Sequence, residues 1–223
     1  MARLKVGVLV SGFGSNLQAL IDLCAAPEFP AEIVTVVSNK PNAVALERAA
    51  RAGIRTHVVP HRSFPDRATF DQAIDAVLRA EGVELICLAG FMRILTPGFV
   101  ALWRDAIVNI HPSLLPSFRG LDTHRQALAA GVRFHGCTVH FVRADLDDGP
   151  ILVQAVVPVR PDDDEQSLAA RVLEAEHSAY PLALRLIAER RVTIDGNRVA
   201  IAGAAGAAPQ TLLNPPDLPS AVP

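Results

Sequence analysis

The chain has 223 residues, half of them apolar and 20% charged, with a formal net charge of −2. That length suits one domain, or two at the outside, and the balance is globular rather than disordered. The 21 basic and 23 acidic residues form no basic block, which argues against a nucleic-acid surface, and no run approaches the roughly 18 apolar residues of a membrane helix.

The first apolar run, VGVLV, is shorter than the roughly 7–15 residues of a secretory hydrophobic region and reads as a first strand over 4–10. A cytoplasmic protein is expected. A helix starts near Ser15, and EIVTVVS (32–38) is a second strand. The Ala-rich segment 43–53 is a helix closed by Gly53. HVVP is a short third strand, 68–82 an amphipathic helix, and 84–90 and 106–110 are strands four and five. Continuous apolar strands separated by helices imply an α/β fold, its parallel sheet covered on both faces.

The second half changes character. GCTVHFV (136–142) and ILVQAVVPV (151–159) flank RADLDDGP and read as an antiparallel pair added to the sheet. The longest helical pattern follows from Glu165, with a kink or break expected at Pro181. Residues 192–203 form a hairpin turning at Asp195–Gly196 or Gly196–Asn197. The expected organisation is one domain over 1–202 and an Ala/Pro-rich tail over 203–223, disordered or loosely docked.

Three cysteines, Cys24, Cys87 and Cys137, lie far apart with no C-x-x-C, so neither a disulfide framework nor a zinc site is indicated. The seven histidines contain no H-E-x-x-H, and no G-x-S-x-G elbow exists for serine chemistry. No metal is expected.

Strand one runs into SGFGSN (11–16) and then a helix. Glycines leading backbone N–H groups to a helix N-terminus make an anion site. The dinucleotide fingerprint fails, because Leu17 replaces its third glycine and Asn39–Lys40 stand where the acidic ribose partner belongs. A single phosphate fits better; the alternative is a tight turn that binds nothing. Ser15 is a candidate cap with a spare hydroxyl.

IVNIHPSLLP breaks an apolar strand with Asn109 and His111 before Pro112. Residues i and i+2 of a strand share a face, and the carboxyl ends of parallel strands are where ligands bind. An amide and an imidazole there can serve a developing oxyanion. In LDDGP, a turn at Gly149–Pro150 brings one or both of Asp147 and Asp148 toward a cleft, where a carboxylate would favour a charged imidazole. The alternative is a solvated acidic loop.

Taken together and in order, SGFGSNLQAL, SNK, AGFMRIL, NIHPSLLPSFRGLDTHRQAL, HGCTVHFV, LDDGPIL and EAEHSAYP make the chain resemble the phosphoribosylglycinamide formyltransferases over roughly residues 3 to 190. The resemblance implies a Rossmann-like formyltransferase fold and a reaction that moves the formyl group of 10-formyltetrahydrofolate to the amine of glycinamide ribonucleotide. It implies catalytic roles for Asn109, His111 and Asp147. It assigns Gly14, Ser15, Asn16 and Glu176 to the nucleotide substrate. Arg67, Met92, Arg93, Ile94 and Leu95, with the wall Arg143, Ala144, Asp145 and Leu146, fall to the folate, the wall acting largely through its backbone. The implied partners are these two small molecules, with the chain a monomer or a homodimer.

Ala144 stands where the family usually has an acidic residue, and Asp122 where many members have His. Three rivals are a methionyl-tRNA formyltransferase, a formyltetrahydrofolate hydrolase and a catalytically silent phosphosugar-binding module. The extra domains of the first two are not expected here, and the intact trio argues against the third.

Overall fold

The computed structural model describes residues 2–204 and 212–214. Five parallel strands form first: β1 (Leu4–Val10), β2 (Ala31–Ser38), β3 (Arg55–Val58), β4 (Leu85–Leu88) and β5 (Ile107–His111). Two more, β6 (Phe134–Phe141) and β7 (Ile151–Pro158), extend the sheet antiparallel, in the order β3-β2-β1-β4-β5-β6-β7. The expected antiparallel extension is therefore present. Strands β8 (Val192–Asp195) and β9 (Arg198–Ile201) pair as a separate hairpin around Gly196–Asn197.

Strand β1 shows why its inner residues, from Val6 to Val10, carry no polar side chain, while Lys5 at its start is exposed. Val6, Val8 and Val10 enter one core, while Leu9 enters the other. The first core is filled from α1 (Ser15–Cys24), α2 (Val44–Arg51) and α6 (Glu165–Ala188). The second is filled from α3 (Arg67–Ala80) and α4 (Pro97–Leu102), through Phe70, Ile74, Leu78, Phe99 and Trp103. A strand buried on both faces has no position for an alternating polar residue. Helix α5 (Thr123–Ala129) closes the connection from β5 to β6.

The structure corrects several boundaries. Strand β3 begins at Arg55, two residues before HVVP, because its ladder partner is Thr35–Ser38 of β2. Helices α4 and α5 and a 3-10 turn at His61–Ser63 were not expected; they span only three to seven residues, too few for a periodic signal. Helix α1 is preceded by Gly14 at its cap, with no side-chain cap bond, so Ser15 is the first helical residue rather than the cap. Pro181 does not break α6, which runs unbroken for 24 residues. Proline removes one helical hydrogen bond. Here buried Leu168, Val172, Ala179, Tyr180, Ala183 and Leu184 pack the turns on both sides into the core and hold the helix through it.

Of the expected tail, residues 205–211 and 215–223 lie outside the described residues. Asn214, within it, donates from Nδ2 to the carbonyls of Val159 (3.0 Å) and Arg133. No helix among the described residues is long and apolar enough to cross a membrane.

A buried hydroxyl helps to tie helix α6 to the sheet. Tyr180 is fully buried, and its Oη lies 3.0 Å from the Leu88 carbonyl and 3.2 Å from that of Val108, bridging β4 and β5 just below their carboxyl ends. Replacing it with phenylalanine removes the single hydroxyl donor that these two carbonyls share. A Tyr180→Phe variant is expected to lose about 1 to 2 kcal/mol of stability in denaturant titration, with a two-state transition retained.

Candidate active site

Strand β5 presents Asn109 and His111 on the face it shares with Ile107, opposite Val108 and Ile110. The antiparallel register places His140 of β6 directly across from Asn109. Asn109 donates from Nδ2 to His140 Nε2 at 3.3 Å. An amide nitrogen can only donate, so this nitrogen of His140 accepts and the ring is neutral with its proton on Nδ1. Burial lowers the proton affinity of His140, in agreement. The neutral ring aims the Asn109 amide and leaves its second N–H free. His140 was not foreseen; the signal was available in HGCTVHFV, but only once the β5–β6 register was known.

His111 is 4% exposed. Its Nδ1 faces Asp147 Oδ1 at 3.5 Å, and its Nε2 lies 3.0 Å from the Phe118 carbonyl. Both ring nitrogens therefore face acceptors, an arrangement that an imidazolium satisfies with two donors. The second Asp147 oxygen accepts the Gly120 N–H at 2.8 Å. The structure brings Asn109, His111 and Asp147 together as expected. Asp148, left open beside Asp147 in the reading of the loop, turns instead to Arg119 at 2.8 Å.

The loop carrying Asp147 needs unusual backbone. Asp147 has φ +47°, and Gly149 has φ +125°. A Cβ on Gly149 would sit 2.1 Å from the Phe141 carbonyl oxygen, so only glycine fits there.

The glycine loop is equally constrained. Gly14 has φ +77°, and a Cβ would approach Ala45 Cβ to 2.6 Å. Helix α2 thus packs directly on the loop, and the first turn of α1 opens beside it. Asn16 donates from Nδ2 to Glu176 Oε2 at 2.6 Å, joining the glycine loop to α6. Its Oδ1 is buried without a partner among the described residues. Burial pushes the Glu176 carboxyl up to about 7, with the Asn16 donor opposing it. Gly14, Ser15, Asn16 and Glu176 are therefore neighbours, although about 160 residues of sequence separate them.

The loop after β4 places Met92 and Ile94 64% and 55% exposed, so two large apolar side chains meet solvent. The Met92 N–H donates to Ser11 Oγ at 2.8 Å, fastening this loop to the glycine loop. The Thr96 N–H donates to Asp71 Oδ2 of α3 at 2.7 Å, fastening its other end. Arg67 stands one turn before Asp71 on α3, exposed and without a polar side-chain partner among the described residues. Arg93 is half-buried with Nε unpartnered. Leu95 packs its side chain into the second core at 6% exposure, so its backbone is the part of it that faces the loop. In the wall, Ala144, Asp145 and Leu146 are exposed, while the Arg143 guanidinium is engaged by Asp105 at 2.6 Å. Asp122 adopts φ +57° before α5 and pairs with Arg125 on the surface.

Two recesses open here. One of about 490 Å³ is bordered by Asp147, Arg119 and Asp148. The other, about 750 Å³, lies beyond the glycine loop against Asn39, Lys40, His61 and Arg62 and touches none of the trio. Among the described residues no cluster of three or more His, Cys, Asp or Glu could hold a metal ion.

Comparison with known proteins places the chain in a family. The sequence profile described as formyl transferase matches residues 4–184. The chain belongs to the formyl transferase family. This formyl transferase is 53% identical over 192 residues to the trifunctional purine biosynthetic protein adenosine-3 of Gallus gallus; the match covers 86% of the chain but only 19% of that protein. It is 44% identical over 200 residues to phosphoribosylglycinamide formyltransferase of Escherichia coli (strain K12), covering 90% of the chain and 94% of the relative. The crystal structure of glycinamide ribonucleotide transformylase 1 from Symbiobacterium toebii superposes with a TM-score of 0.87 at 47% identity, over 89% of this chain and 94% of that one.

Behind the trio lies a second imidazole pair. His135 is 1% exposed, with neither ring nitrogen meeting the distance and angle of a hydrogen bond among the described residues, and packs edge-on against His124 at 5.3 Å and Phe118 at 5.8 Å. Burial, helped by His124 and His111, lowers its pKa from 6.5 to about 4. Above pH 6.5 the ring is neutral in folded and unfolded chains alike. Below it the unfolded chain takes up a proton that the folded chain refuses, so stability falls between pH 6.5 and 4, by about 2 to 3 kcal/mol. Chemical denaturation across this range should show the loss, and His135→Leu should flatten it.

Proposed function

We propose that this formyl transferase moves the formyl group of 10-formyltetrahydrofolate to the amine of glycinamide ribonucleotide. The observation that carries this reading is His111 held between the Asp147 carboxylate and a carbonyl, with the Asn109 amide two residues away on the same face. The substrate amine attacks the formyl carbon, and the carbonyl oxygen becomes an oxyanion. Preorganised donors stabilise that charge. Asn109 offers its free N–H. His111 offers its Nε2–H, exchanging the Phe118 carbonyl for the oxyanion so that no donor is left unpaired. Asp147 balances the imidazolium and receives the proton shed by the attacking amine, directly or through water, for return to the leaving nitrogen. The bond from carbon to that nitrogen then breaks.

Binding follows the same logic. The Gly14–Asn16 turn, backed by the α1 N-terminus, suits the substrate's phosphate. Glu176 suits ribose hydroxyls, which donate to a carboxylate. Exposed Met92, Ile94 and Leu146 offer an apolar bed for a flat ring system, and the unpaired Arg67 suits the folate's terminal carboxylates.

Two outcomes test this reading. His111→Ala should lower kcat about 10²- to 10³-fold in a spectroscopic 10-formylfolate assay, while the affinity for glycinamide ribonucleotide changes less than about threefold. Near-normal turnover would remove His111 from the chemistry. With Glu176 at about 7, the carboxylate form is lost as pH falls below 7, so KM for the nucleotide should rise there. Glu176→Gln should weaken binding at pH 8 and remove that one-proton dependence, which separates it from titration of the substrate phosphate.

A further inference from the structure

Asp147 is aimed by a contact outside its own loop. The segment 112–122 follows β5, and the segment 142–150 joins β6 to β7. The second is tied to the sheet at its ends, where the Val142 N–H donates to the Ile107 carbonyl and the Pro150 carbonyl accepts the Phe141 N–H, each at 2.9 Å, and each segment has a non-glycine residue in left-handed backbone, Phe118 at φ +54° and Asp147 at φ +47°. Such residues persist only where their surroundings hold them.

Three bonds join the two segments to each other and to His111. The Phe118 carbonyl faces His111 Nε2 at 3.0 Å, the Gly120 N–H reaches Asp147 Oδ2 at 2.8 Å, and Arg119 Nη2 reaches Asp148 Oδ1 at 2.8 Å. Residues 118, 119 and 120 thus grip, in turn, the imidazole, the residue after the carboxylate, and the carboxylate itself. The Arg119–Asp148 pair is the ion pair that joins the two segments among the described residues. The far end of the second segment is tied separately, by Arg143 to Asp105 at 2.6 Å.

We propose that Arg119 is a positioning residue for catalysis: its ion pair with Asp148 latches the two segments so that the Gly120 N–H aims the Asp147 carboxylate at His111. Arg119 touches neither His111 nor Asp147. It fixes the backbone on one side of a carboxylate whose own backbone is strained, and Asp148 fixes the other side. This rests on His111 and Asp147 being the reacting pair. An exposed ion pair is weak, so the effect is a modest loss of alignment, not a collapse.

The test uses the full chain with 15N-labelled histidine and four variants: R119A, D148N, the double variant, and R119K. The His111 ring signals of D147N serve as the reference for a lost carboxylate. R119A and D148N are each expected to displace the His111 ring signals part of the way toward D147N. Each should lower kcat about two- to fivefold, with KM for both substrates within about twofold. The double variant should be no worse than the poorer single, because one bond is being removed. R119K, which keeps charge and reach, should stay near the parent. D148N keeps the side-chain shape and carries the test if R119A does not fold.

The proposal is overturned if the His111 signals of R119A and D148N superimpose on those of the parent, if kcat is unchanged or rises, or if the single losses multiply in the double variant. A matched fall in thermal stability with KM and kcat moving together would make the pair merely structural. The ring signals need no turnover, so failure of the assigned reaction would leave this latch to be judged on them alone.

Discussion

The constraint on which the site depends is an imidazole with an acceptor at each nitrogen. His111 is buried, and a buried polar ring is tolerated only when it is hydrogen-bonded. Asp147 supplies one acceptor and the Phe118 carbonyl supplies the second. Neither comes from the strand that carries His111. The connections after β5 and after β6 must both return to the same point, and the chain accepts left-handed backbone at Phe118 and Asp147 to bring them there. The amide, the imidazole and the carboxylate are thus held together by the fold itself, and the proposed reaction would need no rearrangement to find its donors.

The rest of the fold serves this geometry at one remove. The sheet places β1, β4 and β5 side by side, so that the glycine loop, the Met92 loop and the Asn109–His111 pair all emerge at adjacent carboxyl ends. Ser11 pins the Met92 loop to the glycine loop, and Asp71 pins its far end to α3. Tyr180 holds α6 against β4 and β5, and the same helix carries Glu176 one turn earlier to the glycine loop. A rigid frame built from apolar packing therefore carries loops whose own backbone is irregular, the usual division of labour between scaffold and site.

Much of this was legible in the residues. The parallel sheet followed from unbroken apolar runs such as VGVLV, and the antiparallel extension from the paired runs around RADLDDGP. Asn109 and His111 stood out because each needs a polar partner that a buried strand does not supply. Gly14 was legible because a glycine loop before a helix has few other uses. The misses have physical causes. Pro181 lies inside a helix that packing holds together, so local propensity was overruled by burial. His140, Arg119 and the His124–His135 pair act across strands or loops, and nothing local marks them.

By itself, then, the sequence determined the fold class, the two-residue spacing that puts Asn109 and His111 on one face, and the glycine turn beside a helix start. Those depend on backbone period and on local sterics, which neighbouring residues set. Only the tertiary structure decided which of Asp147 and Asp148 meets the imidazole, that His140 aims the amide, and that Arg119 grips the neighbouring carboxylate. Each of those is a contact between segments brought together by strand register and loop closure, and such distances are not encoded in any single stretch of chain.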